Sequence, residues 1–402
     1  MTPSAQDTLL SQLRDLASDI ISEEDLRRCL QDSIKKKEPL RVKFGIDPTF
    51  TDVHVGHCVP IRVLRLFQEA GHLPVLILGD ATARLGDPTG RNDQRPALSE
   101  KEVEHNAASY FTQIGKVLDL SEGACEIHRN SEWFSGMSFF EVLRLLSEST
   151  VARLLERDDF QKRIEKQLPI HLHEMVYPLM QGWDSVQVNA DVELGGNDQL
   201  FNLHMGRQLQ ERHQQRPQVC LTTPLLLGTD GRKMSKTYGN HVPLTASAKD
   251  VFGKVMSLED EAMKSWFRLA TSVPTEEVEA LLAGHPREAK GRLAQEVCTW
   301  IHDASSAQES ADHFVQQFRE KKLPSDIPTL ILASQDWPFP TLLKELGLCA
   351  STSEARRVIE GGGARIAQSV CKDVRYVLTL VAGEDPVLVQ AGKRKFAYVI
   401  GA

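Results

Sequence analysis

The opening residues of the chain carry a helical pattern. Leu9, Leu10, Leu13 and Leu16 recur on one face, so residues 1–38 read as amphipathic helix that packs and carries no chemistry. Residues 40–46 switch to alternation and end in Gly45-Ile46-Asp47-Pro48-Thr49, a strand running into a turn. A helix is expected from about residue 57 to 70, closed by Gly71. Residues 73–79 form a short continuous apolar run, the mark of a strand buried on both faces. Strand, helix and strand at this spacing make a βαβ unit, hence a parallel sheet covered by helices.

The pattern then turns mostly helical, and an insertion over about 98–180 is expected between two halves of the sheet. Apolar runs return at 186–194 and 221–227. Residues 245–322 read as helical again. Val278, Leu281 and Leu282 share a face stopped by Gly284, and Pro286 opens a helix carrying Leu293, Val297 and Ile301. Pro324, Pro328, Pro338 and Pro340 mark a linker, and the last ~60 residues are expected to fold as a unit of their own. The expected fold is a parallel α/β domain over 1–240, a helical domain over 241–325, a linker over 326–340 and a small domain over 341–402.

Composition narrows the class. A chain of 402 residues exceeds one ordinary core, and 41% hydrophobic with 25% charged residues fits a globular protein. No apolar stretch approaches the ~20 residues of a membrane span, and no secretory signal is expected at the N-terminus. The seven cysteines are scattered without a CxxC pair, which argues against a zinc site or disulfide framework and for a reducing cytoplasm. The net charge of −8 argues against a nucleic-acid partner until its distribution is considered. Residues 341–402 hold nine Lys/Arg against six Asp/Glu, so an acidic body carries a basic end able to hold RNA.

Three stretches carry candidate chemistry. His54-Val55-Gly56-His57 sits where a turn enters a helix, whose free N–H groups and partial positive charge favour phosphate; Gly56 permits close backbone approach. Lys233-Met234-Ser235-Lys236 follows Gly228-Thr229-Asp230-Gly231, and two lysines on a glycine-flanked loop suit a mobile clamp on a polyphosphate. In Tyr177-Pro178-Leu179-Met180-Gln181-Gly182-Trp183-Asp184, the spacing puts Tyr177, Gln181 and Asp184 on one helix face, suited to reading both ends of a polar ligand.

In this order, the first two strings resemble the paired signatures of class I aminoacyl-tRNA synthetases. The third resembles the substrate helix of the bacterial tyrosyl-tRNA synthetases, and the likeness runs through nearly the whole chain. The resemblance implies a nucleotide-binding, Rossmann-like catalytic domain, a helical anticodon-side domain, and a tail similar to a small RNA-binding fold shared with a ribosomal small-subunit protein. It implies catalysis by His54, His57, Lys233 and Lys236. It places ATP against Asp47, Thr49, His54, Gly56, His57, Asp198, Lys233, Met234, Ser235 and Lys236, with Mg2+ accompanying the nucleotide and no protein metal site. Asp184 would accept from the substrate phenol. Tyr177, Gln181 and Asp87, the last within Gly86-Asp87-Pro88-Thr89-Gly90-Arg91, would hold its ammonium. Gln199, in Gly195-Gly196-Asn197-Asp198-Gln199, would hold its carboxyl end. Arg356, Arg357 and Arg365 would meet tRNA in a homodimer.

The sequence departs from the family at four places. Trp183 stands for the usual Tyr, Asn197 for Ser or Thr, and Thr237 for Ser. Lys43-Phe44 falls where many members place a tyrosine against the substrate phenol, although one branch also has Lys. If near Asp184, Lys43 is expected to keep that carboxylate ionised and partly replace the missing contact. The readings weighed against this one are a tryptophanyl enzyme, opposed by Asp184 and the basic tail; a small-metabolite ligase, which would not need residues 245–402; and a non-enzymatic RNA-binding paralogue, opposed by the intact histidines and lysines.

Overall fold

The computed structural model describes residues 3–49, 51–84, 99–318, 327–392 and 395–402. They fall into two compact units, Met1–His313 and Phe314–Ala402. The first is built on β1 (Asp19–Ile21), β2 (Arg41–Ile46), β3 (Leu73–Leu78), β4 (Glu126–Arg129), β5 (Val192–Gly196) and β6 (Val219–Thr223), in spatial order β1-β6-β5-β2-β3-β4. All neighbours are parallel except β1, which lies antiparallel on β6. From β2 the chain builds outward through β3 and β4, then returns to place β5 on the other side of β2. That reversal opens a crevice beyond the carboxyl ends of β2 and β5, where open α/β sheets bind ligands.

Burial explains the sheet. Residues 74–78 of β3 and the whole of β6 are buried, as strands covered on both faces must be. Helix Cys58–Glu69 packs on the sheet with Cys58, Val59, Ile61, Val63, Leu64 and Phe67 inward. Helices Leu172–Gln187 and Leu200–Arg212 pack against each other. Gly182 makes this approach possible, because a Cβ there would lie 3.1 Å from the Gly206 backbone nitrogen.

Three segments differ from the sequence reading. Residues 1–38 are two helices, Pro3–Leu16 and Glu23–Lys36, separated by β1. Ser22 accepts from the Asp25 N–H (3.1 Å) and so starts the second helix afresh, while Ile20 and Ile21 extend the sheet. The stretch read as a helical insertion from 98 contains β4, so helices from Ser131 onward form the insertion proper. The residues read as a linker contain β7 (Thr329–Leu332) and β8 (Asp336–Pro338).

Helices Ala248–Met256, Met263–Ala270, Thr275–Ala283, Pro286–Ile301 and Ala304–Phe318 follow the sheet. The first four share its compact unit: Arg62 donates to Leu269 O (2.5 Å) and Thr271 O (2.6 Å). In the second unit, β9 (Ala364–Ile366), β10 (Ser369–Val370), β12 (Val387–Ala391) and β13 (Lys395–Gly401) join β7 in the order β10-β9-β12-β13-β7, and β11 (Val377–Thr379) pairs with β8. Helices Phe339–Glu345 and Thr352–Glu360 close over a core of Phe339, Leu342, Leu343, Ile359, Val389 and Val399.

Candidate active site

The site begins where β2 ends. The Asp47 carboxylate accepts from the Tyr177 hydroxyl at Oδ2 and from the Thr82 hydroxyl at Oδ1, each at 2.8 Å. A side chain on Gly79 would overlap both Asp47 and Thr82, so the glycine closing β3 lets this network form. Thr49 completes the turn, its N–H donating to Asp47 O (2.7 Å).

Beyond the turn, a 3-10 turn, Val55–His57, feeds helix Cys58–Glu69. The His54 and His57 rings stack with centroids 3.6 Å apart, and His57 Nδ1 accepts from the His54 N–H (3.3 Å). Burial pushes His54 down to about 3, helped by His57 and His241; burial pushes His57 down to about 4, helped by Lys233. Both rings are therefore neutral at pH 7. With its Nδ1 accepting, His57 carries its proton on Nε2 and presents a neutral donor.

The two signature strings meet at Gly56. A Cβ there would lie 3.1 Å from His54 Nδ1 and 3.4 Å from Met234 Sδ. Met234 is buried, while Lys236 extends into solvent and pairs with Asp52 (2.6 Å). Asn240, which no spacing singled out, holds the loop together. Its Oδ1 accepts from the Ser235 N–H (2.8 Å), and its Nδ2 donates to Asp230 (2.6 Å) and to Lys233 O (3.2 Å). Its own carbonyl accepts from the Thr229 N–H (3.0 Å).

Helix Leu172–Gln187 presents the third group. Gln181 Oε1 accepts from Asn202 Nδ2, which also donates to Gln199 Oε1, both at 2.9 Å. Arg157 donates to Asn202 (3.0 Å) and so braces both glutamines from outside the motifs. Asp198 is exposed and folds over Gly196, where a Cβ would come within 2.6 Å of its Oδ1. Asp184 is buried and accepts from Trp133 Nε1 (2.9 Å). Burial pushes its carboxyl up to about 7, opposed by the Lys43 charge and by hydrogen bonds from Trp133 and Asn130, while Glu193 adds to the rise.

Lys43 does lie near Asp184, but not as a substitute for a tyrosine hydroxyl. Its side chain is fully buried, and its three N–H donors go to Gln181 O (2.8 Å), Ser185 Oγ (2.7 Å) and Glu193 Oε1 (2.8 Å). No donor remains for a ligand. Trp183 is taken up in an apolar cluster with Leu145, Leu154, Leu179 and Met205, edge-on to His213. Asp87 lies outside the described residues. In the second unit Arg356 and Arg357 are exposed on helix Thr352–Glu360, and Arg365 is exposed on β9. The structure thus gathers Asp47 with Tyr177, Gln181 with Gln199, and the histidines with the lysine loop. Trp133, Asn130, Asn202, Arg157 and Asn240 are the contributors that sequence reasoning missed.

A family model described as tRNA synthetases class I (W and Y) matches residues 35–319. The tyrosine–tRNA ligase of Moorella thermoacetica is 45% identical over 392 residues, spanning 96% of this chain and 94% of that protein. The Symbiobacterium thermophilum ligase is 47% identical over 391 residues, 95% of each, and that of Thermotoga maritima 42% over 408, covering 100% of this chain and 98% of that protein. Among solved structures, a C-terminally truncated mitochondrial tyrosyl-tRNA synthetase from Aspergillus nidulans matches with a TM-score of 0.64 at 24% identity, over 77% of this chain and 94% of that one. The Archaeoglobus fulgidus tyrosyl-tRNA synthetase complexed with L-tyrosine matches with a TM-score of 0.59 at 24% identity, over 75% and 99%. At such identities these two structures speak for the fold alone.

Proposed function

The chain belongs to the class I tRNA synthetases for tryptophan and tyrosine, and on that premise we propose how its residues divide the work. It is a tyrosine–tRNA ligase: tyrosine and ATP give tyrosyl-adenylate and pyrophosphate, and tyrosine then passes to the 3′ end of tRNA. In the first step a carboxylate oxygen of tyrosine bonds to the α-phosphorus while the bond to pyrophosphate breaks. No protein nucleophile is needed, so the residues position groups and meet developing charge.

The observation that carries the division is the polar face of helix Leu172–Gln187, with Asp184 buried one turn beyond Gln181 and two beyond Tyr177. Tyr177, Gln181 and Asp87 hold the tyrosine ammonium, Gln199 its carboxyl end, and Asp184 accepts from its phenol. Asp47, Thr49, Gly56, Asp198, Met234 and Ser235 shape the ATP site. The neutral His54 and His57 donate to phosphate oxygens. Lys233 and Lys236 grip the leaving pyrophosphate, Lys236 after letting go of Asp52. Mg2+ enters on the ATP phosphates. Among the described residues no three His, Cys, Asp or Glu side chains gather into a metal site.

The basic second unit meets tRNA through Arg356, Arg357 and Arg365, and the helices over 248–318 lie on its anticodon side. A second copy of the chain covers the exposed Phe139, Phe140, Leu143, Val151 and Leu172, a set too apolar to face water alone; a solution mass of two chains checks this. Among the described residues no helix is long and apolar enough to cross a membrane, and the cysteines are free, six buried and Cys371 half-buried, which supports a cytoplasmic location. The test of the whole is ATP–pyrophosphate exchange with each of the twenty amino acids. Tyrosine should lead by a wide margin; a leading signal with tryptophan would overturn the assignment of Asp184.

A further inference from the structure

Beneath the polar helix face lies an ion pair that the reaction does not use directly. Lys43 on β2 and Glu193 on β5 are register partners, and neither side chain is exposed at all. Glu193 is saturated as thoroughly as Lys43. Its Oε1 accepts from Lys43 (2.8 Å) and Gln181 Nε2 (3.3 Å); its Oε2 accepts from Ser185 Oγ (3.1 Å) and from Gln218 Nε2. Taking two charges out of water costs several kcal/mol each, so such a pair is weak evidence for stability and invites a search for another role.

Its bonds point to that role. Lys43 holds the backbone carbonyl of Gln181, Glu193 holds the Gln181 side chain, and both hold Ser185, the residue after Asp184. We propose that Lys43 and Glu193 are positioning residues for tyrosine selection: the pair fixes the helical turn from Gln181 to Ser185, and with it the spacing between the groups that read the two ends of the substrate. The inference rests on the roles proposed for Gln181 and Asp184. A ligand read at both ends is sensitive to that spacing, because a displacement of even 1 Å at one end weakens the contact at the other. The pair also acts on charge. Lys43 favours the ionised form of Asp184 and Glu193 opposes it more weakly; Trp133 and Asn130, the other groups against this carboxylate, are uncharged.

The test uses the full chain and the double variant Lys43→Met/Glu193→Gln, which removes both charges and leaves neither ion unpaired. Melting temperature verifies folding, and pyrophosphate exchange gives kcat/KM for tyrosine and for phenylalanine. The expected result is a tyrosine KM raised at least tenfold, a tyrosine-to-phenylalanine ratio lowered at least tenfold, and an ATP KM within twofold of the parent. The pH at which tyrosine activity rises should also move upward. If the double variant does not fold, Ser185→Ala, which removes one acceptor of Lys43 and keeps both charges, should move the same ratio the same way by a smaller factor. A folded variant with the parent's ratio and pH profile would overturn the proposal. Asp184→Ala, run alongside, separates the two readings: if it lowers the ratio while the pair variant does not, the pair alone is misassigned. If Asp184→Ala also leaves the ratio unchanged, the underlying pocket is at fault.

Discussion

Asp184 holds a charge where charge is costly. Its carboxyl titrates at about 7, pushed up first by burial. An unfolded aspartate titrates near ~4, so between that value and about 7 the folded state binds the extra proton. Stability therefore falls as pH rises through this window and is flat above it. Asp184→Asn removes the effect and keeps an acceptor for Trp133. The variant should be more stable than the parent at pH 8, by roughly 2–4 kcal/mol, and nearly equal to it at pH 4. Its kcat/KM for tyrosine should fall, by about tenfold or more, since a neutral amide accepts from the phenol more weakly than a carboxylate. Melting curves at the two pH values, with exchange kinetics, check both halves; a variant less stable at pH 8 would show that the buried charge is no burden. In the parent, tyrosine activity should rise with pH through about 7 while phenylalanine activity does not. At this scale, Tyr177, Gln181 and Asp184 were legible because helical spacing alone puts them on one face. Trp133, Asn130 and Asn202 were not, because they reach the site from other segments and no spacing announces them. Lys43 stood out as an oddity on a strand, but its direction, down to Glu193 and away from a ligand, depends on the register of β2 against β5.

Among the elements, the lysine loop shows how one buried side chain organises a whole segment. The Lys236–Asp52 pair is largely exposed and worth about 0–1 kcal/mol, so it yields readily when a pyrophosphate competes. Asn240 is 3% exposed and serves three parts of the loop, so its bonds define the shape of the loop. Asn240→Ala should slow single-turnover adenylate formation about tenfold to a hundredfold, as expected for ~1.5–3 kcal/mol of lost hydrogen bonding, and leave tyrosine affinity unchanged. Rapid-quench kinetics beside equilibrium tyrosine binding would distinguish the two; a matching loss of binding would mean the side chain only supports the fold. The βαβ opening was readable because β2 and β3 announce themselves by alternation and by an unbroken apolar run. β1 and β4 were missed for a physical reason. They are edge strands of three and four residues, too short for a period of two to emerge against the helices around them.

For the molecule as a whole, the proposed division puts activation in the first compact unit and the arginines that meet tRNA in the second. Every residue assigned a contact with tyrosine or ATP precedes Thr237, and the basic excess lies in the second unit. The prolines suggested a linker over 326–340, but β7 and β8 belong to the second unit, β7 lying beside β13 and β8 beside β11. A chain ended after Phe318 avoids stranding them. It should keep tyrosine-dependent exchange within about threefold and lose most tRNA charging, together with the salt-sensitive part of tRNA affinity. Normal charging by that shortened chain would remove the second unit from the tRNA-binding surface. Prolines misled here because they are tolerated at strand ends and in the first turn of a helix, where Pro338 and Pro340 sit.

The placement of β13 has a consequence for how the protein is made. Strand β13 lies between β12 and β7, paired with both, so β7 joins the rest of that sheet only through β13. During synthesis, β7 emerges long before the partner that secures it, while all six strands of the catalytic sheet are already available. The sheet of the first unit can therefore form on the ribosome before β13 has emerged, whereas that of the second unit cannot. A message cut short before Lys395 would leave β7 without the strand that joins it to β12.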